Sequence, residues 1–320
     1  MSTLRSLSTQ QENDLKLLLA GKVASMMGRK FEEGDWTDVY CSVKNIPDFG
    51  WSNLNIDINW QGLGIEFKML KVPVKEDETI LKFCSTTQMH PSLTRSIRIE
   101  DNHLDPNVVM ENVLSQYGRL IETHTENVRS EDPDGRADMR FGWLLWEDNL
   151  REFLYFEQPM TKPIPSNYYA EWHETPAKGS RKASRSLWIF DAGTKKKRYS
   201  VTTSAGIKIQ GYFDVPGSDD PNLVYFCVQN EVVDDETIVL WTASSTAKHL
   251  ESLLGSLDRD VIANAISSVA QSGTQSDPAS LFDHTAAIPI PITRRAYELL
   301  SERWDAVSDE DHIRLLIEAL

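Results

Sequence analysis

The sequence lacks the features that would place it among secreted, membrane or zinc-binding proteins. Its 320 residues include three cysteines, Cys41, Cys84 and Cys227, whose scattered positions match neither a disulfide framework nor a zinc site. No apolar run approaches membrane-spanning length, and the first residues lack the apolar core of a signal peptide. We therefore expect reduced cysteines, no membrane partner and a cytoplasmic location.

Motifs of several common enzyme classes are also missing. The chain has no Gly-rich phosphate loop ending in Lys-Ser or Lys-Thr, so no nucleotide cofactor is expected. It has no G-x-S-x-G elbow of an acyl hydrolase. His173-Glu174 lacks a second histidine at ligand spacing. With 40% hydrophobic and 25% charged residues, the composition is that of an ordinary globular protein.

A strand–turn–strand pattern between residues 54 and 70 is the most informative feature present. An alternating segment and an apolar-rich segment flank the glycine-containing turn at 61–64. Glu66 and Lys68 are two positions apart, so in a strand their side chains share a face. If the strands pair, Asp57 can join that face from the neighbouring strand. Carboxylates and an ammonium group at one point suit a hard cation and a water molecule better than a structural ion pair.

This grouping predicts a magnesium site. Magnesium prefers oxygen ligands and is usually held by one or two carboxylates, several waters and substrate phosphate oxygens. Asp57 and Glu66 would supply the carboxylates, and the carbonyl of Phe67 lies within reach of the same ion. Lys68 would orient and activate the attacking water, while the metal polarises the phosphoryl oxygen. The reaction that this chemistry indicates is phosphodiester hydrolysis.

Asp57 followed by Glu66-x-Lys68 resembles the motif of the PD-(D/E)XK nucleases, and within them that of type II restriction endonucleases. A predicted helix before the motif, and a helix and a strand after it, follow the order of that family's core. Ile56 stands where the family motif has proline. The resemblance, which covers about the first half of the chain, implies a mixed α/β (α+β) fold with a restriction-endonuclease-like core. It also implies Mg²⁺ as cofactor and products with 5′-phosphate and 3′-hydroxyl ends.

An acidic-x-Lys triplet is common in a chain this acidic. Asp14-Leu15-Lys16 is another example, in a segment with helical periodicity, where a solvated helix face accounts for it. A surface ladder on a half-exposed strand is the corresponding alternative for Glu66 and Lys68. Three functions stay open: a sequence-specific double-strand DNA endonuclease, a modification- or structure-dependent nuclease of the same superfamily in repair or phage defence, and a non-catalytic DNA-binding protein.

A basic segment interrupts a chain whose net charge is −15. Whole-chain charge reports average potential rather than the local field at a site. Clustered basic side chains are typical of phosphate contacts, and the alternative is a solvated hairpin that neutralises acidic neighbours. The cluster faces only Asp191 and consists of Lys178, Arg181, Lys182, Arg185, Lys195, Lys196, Lys197 and Arg198.

The segment 85–98, after the predicted metal strand, is rich in hydroxyl, amide and guanidinium groups. Gln and Arg side chains can read base edges in the major groove, so Gln88, Arg95 and Arg98 are predicted DNA contacts. An ordinary polar loop is the alternative for each of them.

Local patterns predict the elements around the motif. Upstream they indicate a helix over 13–28 and a short strand over 38–43. Downstream, Asp105-Pro106 is typical of a helix start, and aromatic-rich strands follow at 141–146 and 153–156.

The pattern changes after residue 165. Residues 1–165 hold the motif and are predicted to form the nuclease core. Residues 166–320 contain short strand patterns followed by helical ones, which predict a β-rich, helix-closed region for DNA gripping or dimerisation. A homodimer is the expected assembly, because a two-fold protein suits a palindromic DNA site.

Overall fold

The fold is seen in a computed structural model that describes residues 6–26, 29–47, 56–75, 77–99, 101–177, 179, 183–203, 207–272, 287–304 and 308–320. Within these ranges the chain forms seven α-helices and three β-sheets. The predicted mixed α/β class is confirmed. Each described helix is too short or too polar to cross a lipid bilayer.

The first sheet contains the predicted hairpin at one edge. Its strands, in spatial order, are β1 (Ile58–Trp60), β2 (Leu63–Lys71), β4 (Asp138–Trp146), β5 (Glu152–Pro159) and β10 (Val224–Cys227). β2 and β4 run parallel, whereas the other neighbours are antiparallel. In the tight turn between β1 and β2, Gln61 and Gly62 have φ of 47° and 77°. Positive φ at both central residues matches the strand twist, and it explains the glycine at position 62.

The second and third sheets are entirely antiparallel. The second has the order β3 (Thr87–Thr94), β9 (Lys208–Asp214), β8 (Lys197–Thr202), β7 (Ser184–Asp191) and β6 (Tyr168–Thr175). The third has the order β11 (Glu231–Val232), β12 (Thr237–Ala243) and β13 (Ala287–Thr293).

The helices cover particular sheet faces. They are α1 (Thr9–Ala24), α2 (Glu33–Lys44), α3 (Pro106–Glu131), α4 (Ser244–Leu254), α5 (Arg259–Ser272), α6 (Arg294–Arg303) and α7 (Asp309–Ala319). α1 and α2 pack on one face of the first sheet, and α4 to α7 surround the third. α3 packs between the inner face of the second sheet and the β1–β2 hairpin. The chain segment from β2 to its parallel neighbour β4 therefore includes both β3 and α3.

The strand predicted over 38–43 is wrong, because this segment belongs to α2. Trp36, Val39, Tyr40 and Val43 recur at intervals of three and four residues, and all four are buried on one helix face. The ring of Trp36 packs 4.6 Å from that of Tyr155 in the first sheet. Residues 38–43 are rich in types that favour strands, and this composition concealed the helical spacing of the apolar residues.

The predicted boundary at residue 165 does not separate the sheets. β3, from the first region, forms an edge of the second sheet, and β10, from the second region, forms an edge of the first sheet. Each region thus contributes one strand to the sheet formed mainly by the other. The two regions also share a buried cluster, which contains Trp143, Leu154, Phe156 and Phe213.

Candidate active site

The β1–β2 hairpin brings Asp57 and Glu66 together. Ile58 pairs with Ile65, and continuing this antiparallel register by one residue places Asp57 opposite Glu66. The Asp57 carboxylate Oδ2 accepts a hydrogen bond from the Phe67 N–H at 2.6 Å, which links the residue before β1 to β2. The structure therefore juxtaposes the two acidic residues that the sequence pattern selected.

Lys68 lies on the same strand face as Glu66. Its Nζ donates to Glu66 Oε1 at 2.6 Å, and the two side chains are 11% and 22% exposed, respectively. Ile65 and Phe67 point to the opposite face, where they are fully buried under α1 and α2. Because side chains alternate along β2, one face of the strand is part of the hydrophobic core. The other face is polar and partly buried, and it carries Glu66 and Lys68.

The local field strongly affects Asp57. Burial, together with the charges of Glu66 and Glu33, raises the pKa of the Asp57 carboxyl to about 8, against smaller opposing effects of Lys68 and the Phe67 N–H. A cation beside these carboxylates would favour their ionised forms and lower that pKa.

Glu33, at the start of α2, is a further acidic residue whose charge reaches the site. Asp35 is instead engaged by Arg29, whose Nη1 donates to Oδ2 at 2.7 Å, and by the Glu32 N–H at 2.9 Å. Although burial opposes it, these hydrogen bonds lower the pKa of Asp35. Asp35 therefore caps the helix, and Glu33 is the additional carboxylate available near Asp57.

The oxygen atoms at this site suit magnesium, which does not need a complete set of ligands from the protein. Asp57 and Glu66 offer carboxylate oxygens, and the N–H and C=O of one strand residue point to the same side, so the Phe67 carbonyl faces Asp57. Across the described ranges, no group of three or more His, Cys, Asp or Glu side chains is placed to hold a metal. Magnesium, which keeps several waters and uses substrate oxygens, needs no such group.

Asn59 is a residue at the site that the sequence reasoning missed. It lies two positions after Asp57 and so shares its strand face. Both amide atoms, Oδ1 and Nδ2, are buried without a hydrogen-bond partner among the described residues. Such groups are rare in folded proteins, and a water or an ion is one kind of partner that satisfies them. The period-two alternation that linked Glu66 to Lys68 also links Asn59 to Asp57.

Tyr117 of α3 and His90 of β3 also border the site. Burial, and secondarily the charge of Glu66, raises the pKa of Tyr117, which therefore keeps its hydroxyl proton. Burial and the nearby Lys68 lower the pKa of His90 to about 4, so its ring is neutral at pH 7. The His90 Nε2 lies 3.1 Å from the Met69 carbonyl of β2. No local sequence signal connects these two residues to the hairpin.

The predicted DNA contacts after the metal strand lie on or near β3. Gln88 is half-buried and its Nε2 donates to Thr86 Oγ1 at 2.8 Å. Arg95 is exposed just past the other end of the strand. Arg98 is also exposed, and its guanidinium donates to the carbonyl oxygens of Arg95 and Ile97. Most of the segment 85–98 is thus an edge strand rather than the polar loop that was the alternative to DNA contacts.

The described residues of the basic cluster do not lie together on one surface. Lys178, Arg181 and Lys182 lie outside the described residues. Arg185 points to the inner side of its sheet, where its guanidinium stacks 4.3 Å from the Trp172 ring and donates to the Asn102 carbonyl. The run from Lys195 to Arg198 follows the β7–β8 turn, and the first two lysines of this run are exposed.

Compared with protein-family models, curated proteins and solved structures, the chain matches none. The geometry of the hairpin and of the surrounding sheets is therefore the basis for any functional conclusion.

Replacing Asp57 with asparagine should make the metal-free protein more stable at high pH. Asparagine keeps the oxygen that accepts the Phe67 N–H but cannot ionise. Because the folded-state pKa of Asp57 is raised to about 8, its stabilising effect is complete below about pH 4 and is lost as the pH rises to about 8. Even half of that shift corresponds to about 3 kcal/mol.

The measurement is urea unfolding in chelator from pH 4 to 9, with the exposed Asp77→Asn as the matched control. The Asp57→Asn protein should gain stability relative to wild type across this window, whereas the Asp77→Asn protein should follow wild type. Parallel pH profiles for wild type and Asp57→Asn would show that Asp57 is not in the environment described.

Proposed function

We propose that the protein is a magnesium-dependent endonuclease that hydrolyses phosphodiester bonds of double-stranded DNA. The observation that carries this proposal is the placement of Asp57 opposite Glu66 across a tight hairpin, with the Lys68 ammonium bonded to Glu66. The expected products have 5′-phosphate and 3′-hydroxyl ends, as the resemblance to PD-(D/E)XK nucleases implies.

The residues divide the work of hydrolysis. Asp57, Glu66 and the Phe67 carbonyl would hold Mg²⁺, which would supply a Lewis acid for the phosphoryl oxygen. Lys68, held 2.6 Å from Glu66, would orient the attacking water and stabilise charge on the scissile phosphate. The neutral ring of His90 adds no charge beside Lys68 and fixes β3 to β2 through the Met69 carbonyl.

The chain order supports a restriction-endonuclease-like core within this fold. Helices precede the hairpin, and α3 precedes β4, which lies parallel to β2. β3 departs from that simple order, since it leaves β2 to join the second sheet. We propose type II restriction as the biological role and a homodimer as the active form, since a two-fold dimer cuts both strands of a palindrome.

Magnesium titration by calorimetry tests the metal site separately from DNA cleavage. Wild type should bind Mg²⁺ in DNA-free buffer, with affinity that rises with pH because Asp57 must lose its proton. Asp57→Asn and Glu66→Gln should each abolish the binding heat, and the exposed Asp77→Asn should leave it unchanged. Equal binding heats for all four proteins would show that Asp57 and Glu66 do not bind Mg²⁺. The absence of binding to wild type at saturating concentrations would show the same.

A further inference from the structure

The outer face of the second sheet carries a group of aromatic side chains. α3 covers the inner face, where Leu187, Ile189 and Val201 are buried. Strand alternation turns the neighbouring residues outward, and these are half-buried and belong to none of the hydrophobic core clusters. We call this surface the aromatic face; its rings are Tyr169, His173, Trp188, Phe190 and Tyr212.

The rings of the aromatic face are ordered across the strands. Tyr169 and Phe190 stack with centroids 5.3 Å apart and an interplanar angle of 17°. His173 and Trp188 stack at 3.6 Å and 16°. Side chains on adjacent strands thus form two stacked pairs, and the Trp188 and Phe190 rings of these pairs meet edge-on, at an interplanar angle of 68°.

Lysine side chains lie between and over these rings. Lys197 Nζ lies 3.3 Å from the Trp188 centroid and 4.9 Å from that of Tyr212. Lys195 Nζ lies 5.0 Å from the Tyr169 centroid. In the described part of the chain, Lys197 has no carboxylate within ion-pair distance, and burial lowers its pKa to about 8. The Lys197 ammonium group therefore lies against two aromatic rings, those of Trp188 and Tyr212.

Positive charge continues along one edge of the face. Arg198 Nη1 and Lys196 Nζ approach the carboxylate of Asp214 at 2.9 and 3.6 Å, respectively. One carboxylate thus serves two cations, and Lys195 and Lys197 add further positive charge, which outweighs the exposed Glu171 opposite Trp188. In a chain of net charge −15, this local excess favours an anionic ligand.

We propose that the aromatic face binds an unpaired nucleic-acid strand. A single strand offers both base faces and phosphates, whereas a duplex hides its base faces within the stack. Aromatic side chains bind bases without regard to sequence, and a positively charged groove follows the backbone. A base would stack on the rings that Lys197 now covers, those of Trp188 and Tyr212, and the displaced Lys197 ammonium would move to a phosphate.

This proposal does not rest on the cleavage reaction, because it concerns a surface whose residues differ from those of the hairpin site. Junctions, flaps and displaced strands present unpaired bases close to duplex DNA, so such binding is compatible with the proposed cleavage of duplex DNA.

Fluorescence anisotropy in EDTA tests this binding without cleavage. The probes are a labelled oligothymidine and a blunt duplex of the same length, each titrated with full-length protein. Trp188→Leu and Tyr212→Leu remove the ring but keep apolar bulk, whereas Trp188→Phe and Tyr212→Phe keep a ring. Circular dichroism and thermal melting establish that each variant is folded.

Each leucine variant should weaken oligothymidine binding by about 10- to 100-fold and leave duplex binding nearly unchanged. The phenylalanine variants should restore most of the single-strand affinity. Neutralising Lys195, Lys196, Lys197 and Arg198 together should weaken both probes and flatten the salt dependence by roughly one unit of slope per lost phosphate contact.

Two results would overturn the proposal. Folded leucine variants that bind oligothymidine as wild type does would show that the rings do not contact bases. A change of sedimentation coefficient in these variants, with unchanged affinity for both probes, would assign the aromatic face to a protein interface instead.

Discussion

The Glu66→Gln protein should bind DNA but cleave it at least about 10²- to 10³-fold more slowly than wild type, as expected when a charge essential to transition-state stabilisation is lost. Glutamine keeps the size of the side chain but removes its charge. A metal-ligand charge disappears, and Lys68 loses the carboxylate that holds its ammonium at 2.6 Å. Binding should be intact or tighter, because one source of repulsion toward phosphate is gone.

Single-turnover cleavage of a plasmid, together with anisotropy on the same duplex, separates these two effects. Lys68→Ala should behave like Glu66→Gln, since water positioning and charge stabilisation are both lost. Glu78→Gln, on the surface pair with Lys82, is the matched control and should cleave as wild type does. A folded Glu66→Gln protein that cuts at the wild-type rate would move the active site elsewhere.

The Glu310→Ala protein should lose about 3–5 kcal/mol of stability, as is usual when one member of a buried charged network is removed. Glu310 is 2% exposed at the start of α7. Its carboxylate accepts from the Arg314 Nε at 2.7 Å and the Ala243 N–H at 2.8 Å, and from the hydroxyls of Thr242 and Thr246. Four buried donors share this one group, so its loss affects α4, α7 and β12 together.

Urea unfolding followed by circular dichroism measures this loss. Glu298→Ala provides the matched control, because Glu298 forms an exposed pair with Arg295 at 3.0 Å and should contribute less than about 1 kcal/mol. If the Glu310 and Glu298 variants lost equal stability, the buried network would not hold the third sheet to its helices.

The hairpin could be predicted because its signals are local. Alternating side chains, a glycine-containing turn and the two-residue spacing of Glu66 and Lys68 all lie within about 15 residues. Tyr117 and His90 could not be linked to the hairpin in this way. They reach it through α3 and β3, which come from distant parts of the chain and whose packing leaves no mark in a local pattern.

Proline residues explain why the sequence patterns did not indicate two of the strands. β13 contains Pro289 and Pro291, yet it forms the edge of its sheet, where a missing N–H interrupts no ladder. Pro91 similarly lies in β3, within the register shift between His90 and Thr94. Prolines that predict a loop are therefore compatible with edge strands, and only the sheet order reveals this.

Helix α1 shows how a boundary shifts when a cap is overlooked. The apolar period predicted a helix over 13–28, whereas the helix spans Thr9–Ala24. Ser8 and Gln11 form a capping box, in which the Ser8 hydroxyl accepts from the Gln11 N–H and the Gln11 side chain accepts from the Ser8 N–H. Polar residues of the first turn thus belong to the helix although they lack its apolar period.

Incubation of supercoiled plasmid with wild-type protein, in Mg²⁺ and in EDTA, shows whether the hairpin site cleaves DNA. Asp57, Glu66 and Lys68 predict cleavage in Mg²⁺ alone, with discrete fragments for a restriction enzyme and 5′-phosphate ends that ligase can rejoin. A smear of fragments would indicate a nuclease without sequence specificity. Plasmid that stays intact in Mg²⁺, bound by folded protein, would rule out the nuclease and assign the chain to non-catalytic DNA binding.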